Sequence, residues 1–184
     1  MNKSAKEPAT QSPDPLRQAE QPTPAKPPAA WPDLAGRVDG DGVHRLGIRV
    51  YYEDTDFSGI VYHASYLRFM ERGRSDFMRM TGLDHRDLYE PREGYEGGLA
   101  FAVRKMGIEF FSAATIDDVL EVETAMAEMR GASMTIRQRV LKDGQPVVTA
   151  DVKVALVHKD GGARRMPLWL RNIFAPFAPD GDQG

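Results

Sequence analysis

One segment limits the folds open to this chain more than any other: from Ala64 to about Thr81 apolar residues recur at helical spacing, and no comparable stretch follows until the C-terminus. Tyr66, Phe69, Met70, Gly73, Phe77 and Met80 fall on one face, with Arg68, Glu71, Arg72, Ser75, Asp76 and Arg79 opposite. Arg74 lies beside the apolar stripe, and Gly82 is placed to end the helix in a left-handed cap. A single amphipathic helix must bury its stripe against another layer, and strand patterns supply that layer. Leu46, Ile48, Val50 and Tyr52 alternate with polar neighbours ahead of the helix. After a connection rich in charge and glycine, Asp84 to Gly98, come four strand-like runs: FAVRKMGIEFF, VLEVETAMAEM, SMTIRQRVL and VVTADVKVALV.

Lys142-Asp143-Gly144-Gln145 carries the Asp-Gly pair of a tight hairpin between the last two runs. In the final strand Val148, Ala150, Val152, Val154 and Leu156 share a face, with Asp151 and Lys153 on the other. PLWLRNIFAPF, residues 167–177, reads as a short closing helix with Pro167 near its start. Strand, helix, then four consecutive strands is not the alternation of a doubly wound fold. The class is α+β: one long helix against an antiparallel sheet of about five strands.

Residues 1–40 hold eight of the 13 prolines, interleaved with Ala, Gln, Lys and Asp, and bury too little apolar surface to offset the entropy of ordering. A disordered tail is expected there, a domain over 41–178, and a flexible C-terminus over 179–184. The formal charge of −3 carries no basic footprint for nucleic acid or a membrane surface. There is no cysteine, which excludes disulfides, thiolate metal sites and a cysteine nucleophile. MNKSAKEPATQSPDP lacks the apolar run of an export signal, and no apolar stretch is long enough to span a bilayer, so a cytoplasmic protein without an integral membrane segment is expected.

The chemistry is expected between the first strand and the helix, in Tyr52-Glu53-Asp54-Thr55-Asp56-Phe57-Ser58-Gly59-Ile60-Val61-Tyr62-His63. First-turn N–H groups of a helix lack intrahelical acceptors and stabilise an oxygen gaining negative charge; a nearby carboxylate can attack or activate water. Asp54, Asp56, Ser58 and Gly59 also match the opening of a calcium loop, but its twelfth position, which needs a bidentate Glu, is Ser65. Read alone, the two carboxylates are first of all turn and helix-entry residues binding local amides, and His63 a capping or packing residue. His44, His85 and His158 have no metal-ligand spacing, and there is no G-x-S-x-G nucleophile elbow.

YYEDTDFSGIVYHASYLRFMERGRSDFM resembles the signature of hotdog proteins of the 4-hydroxybenzoyl-CoA thioesterase type, and within them the Tol-Pal-associated branch. FAVRKMGIEFFSAATIDDVLEVET, the MRGAS segment and the strand after it extend the similarity to about residues 44–175. The resemblance implies a hotdog fold, a sheet wrapped around one central helix, and acyl-CoA thioester hydrolysis without metal or organic cofactor. It implies homodimers, commonly paired into homotetramers. It assigns Asp56 as nucleophile or general base and the backbone N–H of His63 as oxyanion donor. Gly59 is expected to permit the tight loop and Tyr62 to line the acyl pocket; Arg104, Lys105 and Arg130 are the candidates for the CoA phosphates, or for an acidic acyl carrier protein. Two other functions stay open at this point. One is a hotdog hydratase or dehydratase, which needs a His with a carboxylate partner. The other is a partner-binding module of the cell envelope with weak hydrolysis.

Overall fold

The structure, a computed structural model, describes residues 35–83, 85–91 and 96–179. Most of the proline-rich tail and of the C-terminal tail expected from the sequence lies outside these residues. Among the described residues, beside the 3-10 turns Tyr52–Asp54 and Ala175–Phe177, nine strands and α-helices run in order: β1 (Arg37–Val38), β2 (His44–Arg49), α1 (His63–Met80), α2 (His85–Tyr89), β3 (Leu99–Phe110), β4 (Val119–Arg130), β5 (Ser133–Lys142), β6 (Gln145–His158) and α3 (Leu168–Phe174). Ordered pairing therefore starts within the expected tail, where Arg37 and Val38 pair with Arg45 and His44. The strands form one antiparallel sheet in the order β1-β2-β4-β5-β6-β3, so β3 is an edge although it precedes β4 in the chain. The two-residue β1 is added to the five strands expected. This is the hotdog arrangement, a long helix held against an antiparallel sheet.

The sheet's inner face buries Ile48, Leu120, Val122, Ile136, Val140, Val148, Val152 and Leu156 under Tyr66, Phe69, Met70 and Phe77 of α1. The hairpin between β5 and β6 has φ of 50° at Asp143 and 75° at Gly144, the paired left-handed conformation that matches strand twist in a two-residue turn. Helix α1 ends as its glycine demands. Gly82 has φ of 82°, its N–H donates to Arg79 O at 2.9 Å, and Leu83 N–H reaches Met78 O at 3.4 Å.

That cap also corrects the apolar face read from periodicity. Met78 is buried and Met80 is 42% exposed, because the chain doubles back after Gly82 and lays buried Leu83 over the Met78 side. Tyr52 departs too: it is 83% exposed, outside the strand, since β2 stops at Arg49 and Tyr52–Asp54 form a 3-10 turn. The buried Asp54 carboxylate accepts the Tyr51 N–H at 3.0 Å, a local bond that competes with continuing the strand. Within the connection of Asp84 to Gly98, α2 buries Leu88.

Two buried features set how α1 crosses the sheet. Gly73 lies against β4: a Cβ there would stand 2.9 Å from Thr124 Oγ1 and 2.9 Å from Val122 Cγ1, both on stiff β-branched side chains. Gly73→Ala is expected to lower stability by about 1–2 kcal/mol in urea unfolding, overpacking outweighing the alanine's better helix propensity. Beside it, fully buried Gln138 donates from Nε2 to Met70 O and to Thr124 Oγ1, each at 2.9 Å, and accepts from Arg74 Nη1 at 2.7 Å. Arg74 continues to Glu71. Gln138→Leu keeps the volume but strands the Arg74 donor, and should cost about 2 kcal/mol in the same measurement. Removing Arg74 as well should cost less than the two single changes added.

Candidate active site

The loop between β2 and α1 is closed on itself before the helix begins. Thr55 and Val61 form an antiparallel bridge, Asp56 N–H donates to Ile60 O at 3.0 Å, and Gly59 N–H donates back to Asp56 O at 3.0 Å. Gly59 has φ of 79°, a conformation that excludes most side chains. The Tyr62 N–H and the Ser65 hydroxyl both donate to Asp54 O, at 2.9 and 3.0 Å, tying the loop to the first turn of α1.

Asp56 is half-buried at the base of this loop. Its Oδ1 accepts the Ser58 N–H at 2.8 Å and the Ser58 hydroxyl at 2.5 Å. The Ser58 hydroxyl first, and its amide second, hold the carboxyl below the usual carboxylate range, so Asp56 is ionised across the neutral range. Seven residues on, His63 is the first residue of α1 and Tyr62 the N-cap, with φ of −62° and ψ of 133°. Amides at this position have no preceding turn to accept their hydrogens and carry the positive end of the helix dipole. The His63 ring is exposed and packs on the Tyr62 ring, centroids 4.3 Å apart.

A second loop, Phe111–Asp118, braces this end of the helix. Ile60 bridges Thr115, Val61 N–H donates to Ala114 O at 2.8 Å, and Ala114 N–H donates to the buried Tyr66 hydroxyl oxygen at 3.0 Å. Burial pushes the Tyr66 hydroxyl's pKa up, so it stays neutral. Asp118 holds the loop through Thr115 N–H at 2.8 Å and Lys142 Nζ at 2.6 Å. Phe57, Ile60, Tyr62, Phe110, Phe111 and Ile116 leave apolar surface exposed on these two loops and the strand end beside them.

The structure thus gathers Asp56, Gly59, Tyr62 and His63 into one loop and helix start. It does not bring the three basic candidates to them within one chain. Arg104 is the extra residue of a bulge on β3, between the pairs Val103 with Val154 and Lys105 with Lys153. From there to Phe110, whose ring meets Tyr66, is six residues of strand, roughly 20 Å at about 3.3 Å per residue. Arg130 is at the hairpin between β4 and β5, in a row that runs through Ser133 and Ala155 to Ala102. Three strand spacings separate it from β3, roughly 14 Å at about 4.8 Å each, and it is paired with Glu128 at 2.6 Å.

Of the remaining histidines, His44 is buried against Asp76 at 2.8 Å, His85 meets Ser75 at 3.1 Å, and His158 meets Asp160 at 2.9 Å. Among the described residues no group of three or more His, Asp or Glu side chains could hold a metal ion. Sequence reasoning passed over Ser58, weighed only as a calcium-loop position, and the Tyr66–Ala114 brace. It also missed a small apolar cavity walled by Phe77, Met78, Phe101, Val103 and Met134, with Glu71 and Ser75 on its polar side.

Comparison with known proteins bears on this geometry. Residues 50–174 match the thioesterase-like superfamily. The "Acyl-CoA thioesterase YbgC" of Haemophilus influenzae is 42% identical over 130 residues, 71% of this chain and 90% of that one. The "Acyl-CoA thioester hydrolase YbgC" of Escherichia coli O6:H1 is 43% identical over 133 residues, 72% of this chain and 94% of that one. The crystal structure of a probable thioesterase from Bartonella henselae superposes with a TM-score of 0.64 at 44% identity, over 68% of this chain and 99% of that one.

Proposed function

The chain belongs to the thioesterase-like superfamily, and from that membership and its similarity to acyl-CoA thioester hydrolases we infer that it hydrolyses acyl-CoA thioesters to a free acid and CoA. The observation that carries the catalytic assignment is an ionised carboxylate, Asp56, held in a closed loop seven residues before the first amide of a long helix. The His63 N–H stabilises the thioester oxygen as it gains charge, while Asp56 attacks the carbonyl carbon or takes the proton of an attacking water. A thiolate is a weakly basic leaving group, so it departs without a dedicated acid, and this apparatus needs no cofactor. Tyr62, 46% exposed beside His63, lines the acyl side.

CoA is the carrier in this reading, with an acyl carrier protein as the other source of the same thioester. Arg104, Lys105 and Arg130 meet its phosphates only if the substrate groove runs between subunits. A second copy supplies that groove: β3 is a 12-residue edge strand with Val103 51% exposed, and Phe110 and Phe111 remain uncovered at its end. The working unit is then a homodimer or homotetramer, placed in the cytoplasm and associated with the Tol-Pal system. A hydratase is disfavoured because, among the described residues, no carboxylate lies within hydrogen-bonding reach of His63, the His44–Asp76 pair is buried, and the His158–Asp160 pair stands at the Leu99 end of β3, away from the Phe110 end beside the loop.

The test is thiol release from acyl-CoAs of increasing chain length and from benzoyl-CoA, beside sedimentation of the same sample. Hydrolysis of at least one thioester by a species of two or four subunits supports the reading. An inert protein, or full activity in a monomer, overturns the corresponding part.

A further inference from the structure

We propose that Ser58 is a positioning residue for the reaction: its hydroxyl fixes Asp56 Oδ1 and leaves Oδ2 as the oxygen that reacts. The inference rests on the Asp56 reading and goes a step further, assigning the two carboxylate oxygens different work.

Both hydrogen bonds from Ser58, the N–H at 2.8 Å and the hydroxyl at 2.5 Å, fall on the same oxygen. Among the described residues no donor reaches Oδ2. An oxygen carrying two donors, one of them a hydroxyl bonded to the charged carboxylate, has its electron density engaged and its direction fixed. The other oxygen keeps its lone pairs free, and rotation of the carboxylate that would exchange the two must break both bonds.

The hydroxyl is surplus to folding the loop. The turn is already closed by Asp56 N–H to Ile60 O, Gly59 N–H to Asp56 O and Ser58 N–H to Asp56 Oδ1. Ser58 is exposed, and among the described residues its hydroxyl bonds to Asp56 alone. Its effect therefore falls on the carboxylate. Donors to the charged form favour ionisation, so the hydroxyl also keeps Asp56 competent at lower pH than an ordinary aspartate.

The test compares wild type, Ser58→Ala, Ser58→Thr and Asp56→Asn in two readouts. One is the acid limb of kcat/KM, followed by the ultraviolet absorbance of the thioester, with circular dichroism confirming the fold at each pH. The other is carboxyl-carbon NMR titration of Asp56, its resonance identified by its loss in Asp56→Asn. Ser58→Ala should lose about tenfold in kcat/KM at neutral pH, less than the roughly hundredfold or more of a group that itself transfers the proton, since Ser58 acts only through Asp56. Both its acid limb and its NMR titration should move up toward the ordinary aspartate value of about 3.9. Ser58→Thr, which keeps the hydroxyl, should restore rate and titration.

An Ser58→Ala enzyme whose acid limb and titration coincide with wild type overturns the proposal. So does one as inactive as Asp56→Asn, since Ser58 would then be the acyl acceptor itself. Failure of the underlying reading looks different: Asp56→Asn would keep wild-type activity, while the NMR titration would still report whether Ser58 controls the carboxylate.

Discussion

Asp56→Asn should lower kcat about a thousandfold, roughly 4 kcal/mol of transition-state stabilisation, while KM changes little. The variant suits the question because asparagine retains an Oδ1 that can accept the Ser58 amide and hydroxyl, and asparagine is at home in such turns. The loop, and the helix start tied to it through Asp54, should therefore stay in place. What disappears is the negative charge and the carboxylate oxygen proposed to react. The check is thiol release in the steady state, with unfolding midpoints of both proteins measured alongside. A variant that unfolds at the wild-type midpoint and turns over within threefold of wild type would remove Asp56 from the chemistry. Single turnovers of wild type in heavy-oxygen water divide the two roles of the residue: label found in Asp56 requires a mixed anhydride attacked at the aspartyl carbon, and only a nucleophile forms one.

Much of this architecture is legible in the sequence because two periodicities do not overlap. Tyr66, Phe69, Met70, Gly73 and Phe77 repeat at helical spacing, Val148 through Leu156 at strand spacing, and Gly82 and Asp143-Gly144 mark the two turns whose backbone only certain residues adopt. The candidate site was legible because Asp56 and His63 belong to one continuous segment, where spacing in the chain stands in for distance in space. The failures have physical causes. Tyr52 alternates correctly, but a local Asp54 bond ends the strand before it. Met80 has the right spacing, yet the last turn of a helix is covered by whatever the chain does next. Ser58 gave no periodic signal, since its contact is one hydroxyl on one carboxylate oxygen. Arg104, Lys105 and Arg130 were grouped by charge, and charge alone cannot say that two strands, β5 and β6, lie between β3 and the end of β4 that carries Arg130.

The same frame explains why the site is where it is. Gly73 lets α1 approach β4 closely, and Gln138 fixes its middle through Met70 and Arg74, so the first turn of the helix is the end of a rigid rod. The loop carrying Asp56 is anchored to that turn, and Tyr66 in the same turn anchors the opposite loop through Ala114. The proposed donor and the proposed reacting carboxylate, which must agree within fractions of an ångström, are thus both referred to one element. Distortion of the core should for that reason be felt in kcat only when it moves the start of α1.

His63→Pro isolates the other half of the apparatus and should lower kcat by about a hundredfold or more, the cost of losing one oxyanion donor. Proline is tolerated at the first position of a helix, where its missing N–H has no intrahelical acceptor to lose. The preceding residue must be extended, and Tyr62 already is, with φ of −62° and ψ of 133°. The substitution therefore deletes the amide hydrogen at little cost to the fold. It also removes the imidazole, so His63→Ala is the necessary companion: that variant keeps the N–H and loses the ring. If the backbone donor does the work, His63→Ala should stay within about tenfold of wild type while His63→Pro falls far below it. Equal losses in the two variants would instead assign the effect to the ring, which faces solvent beside Tyr62, and the helix amide would have no part in stabilising the oxyanion.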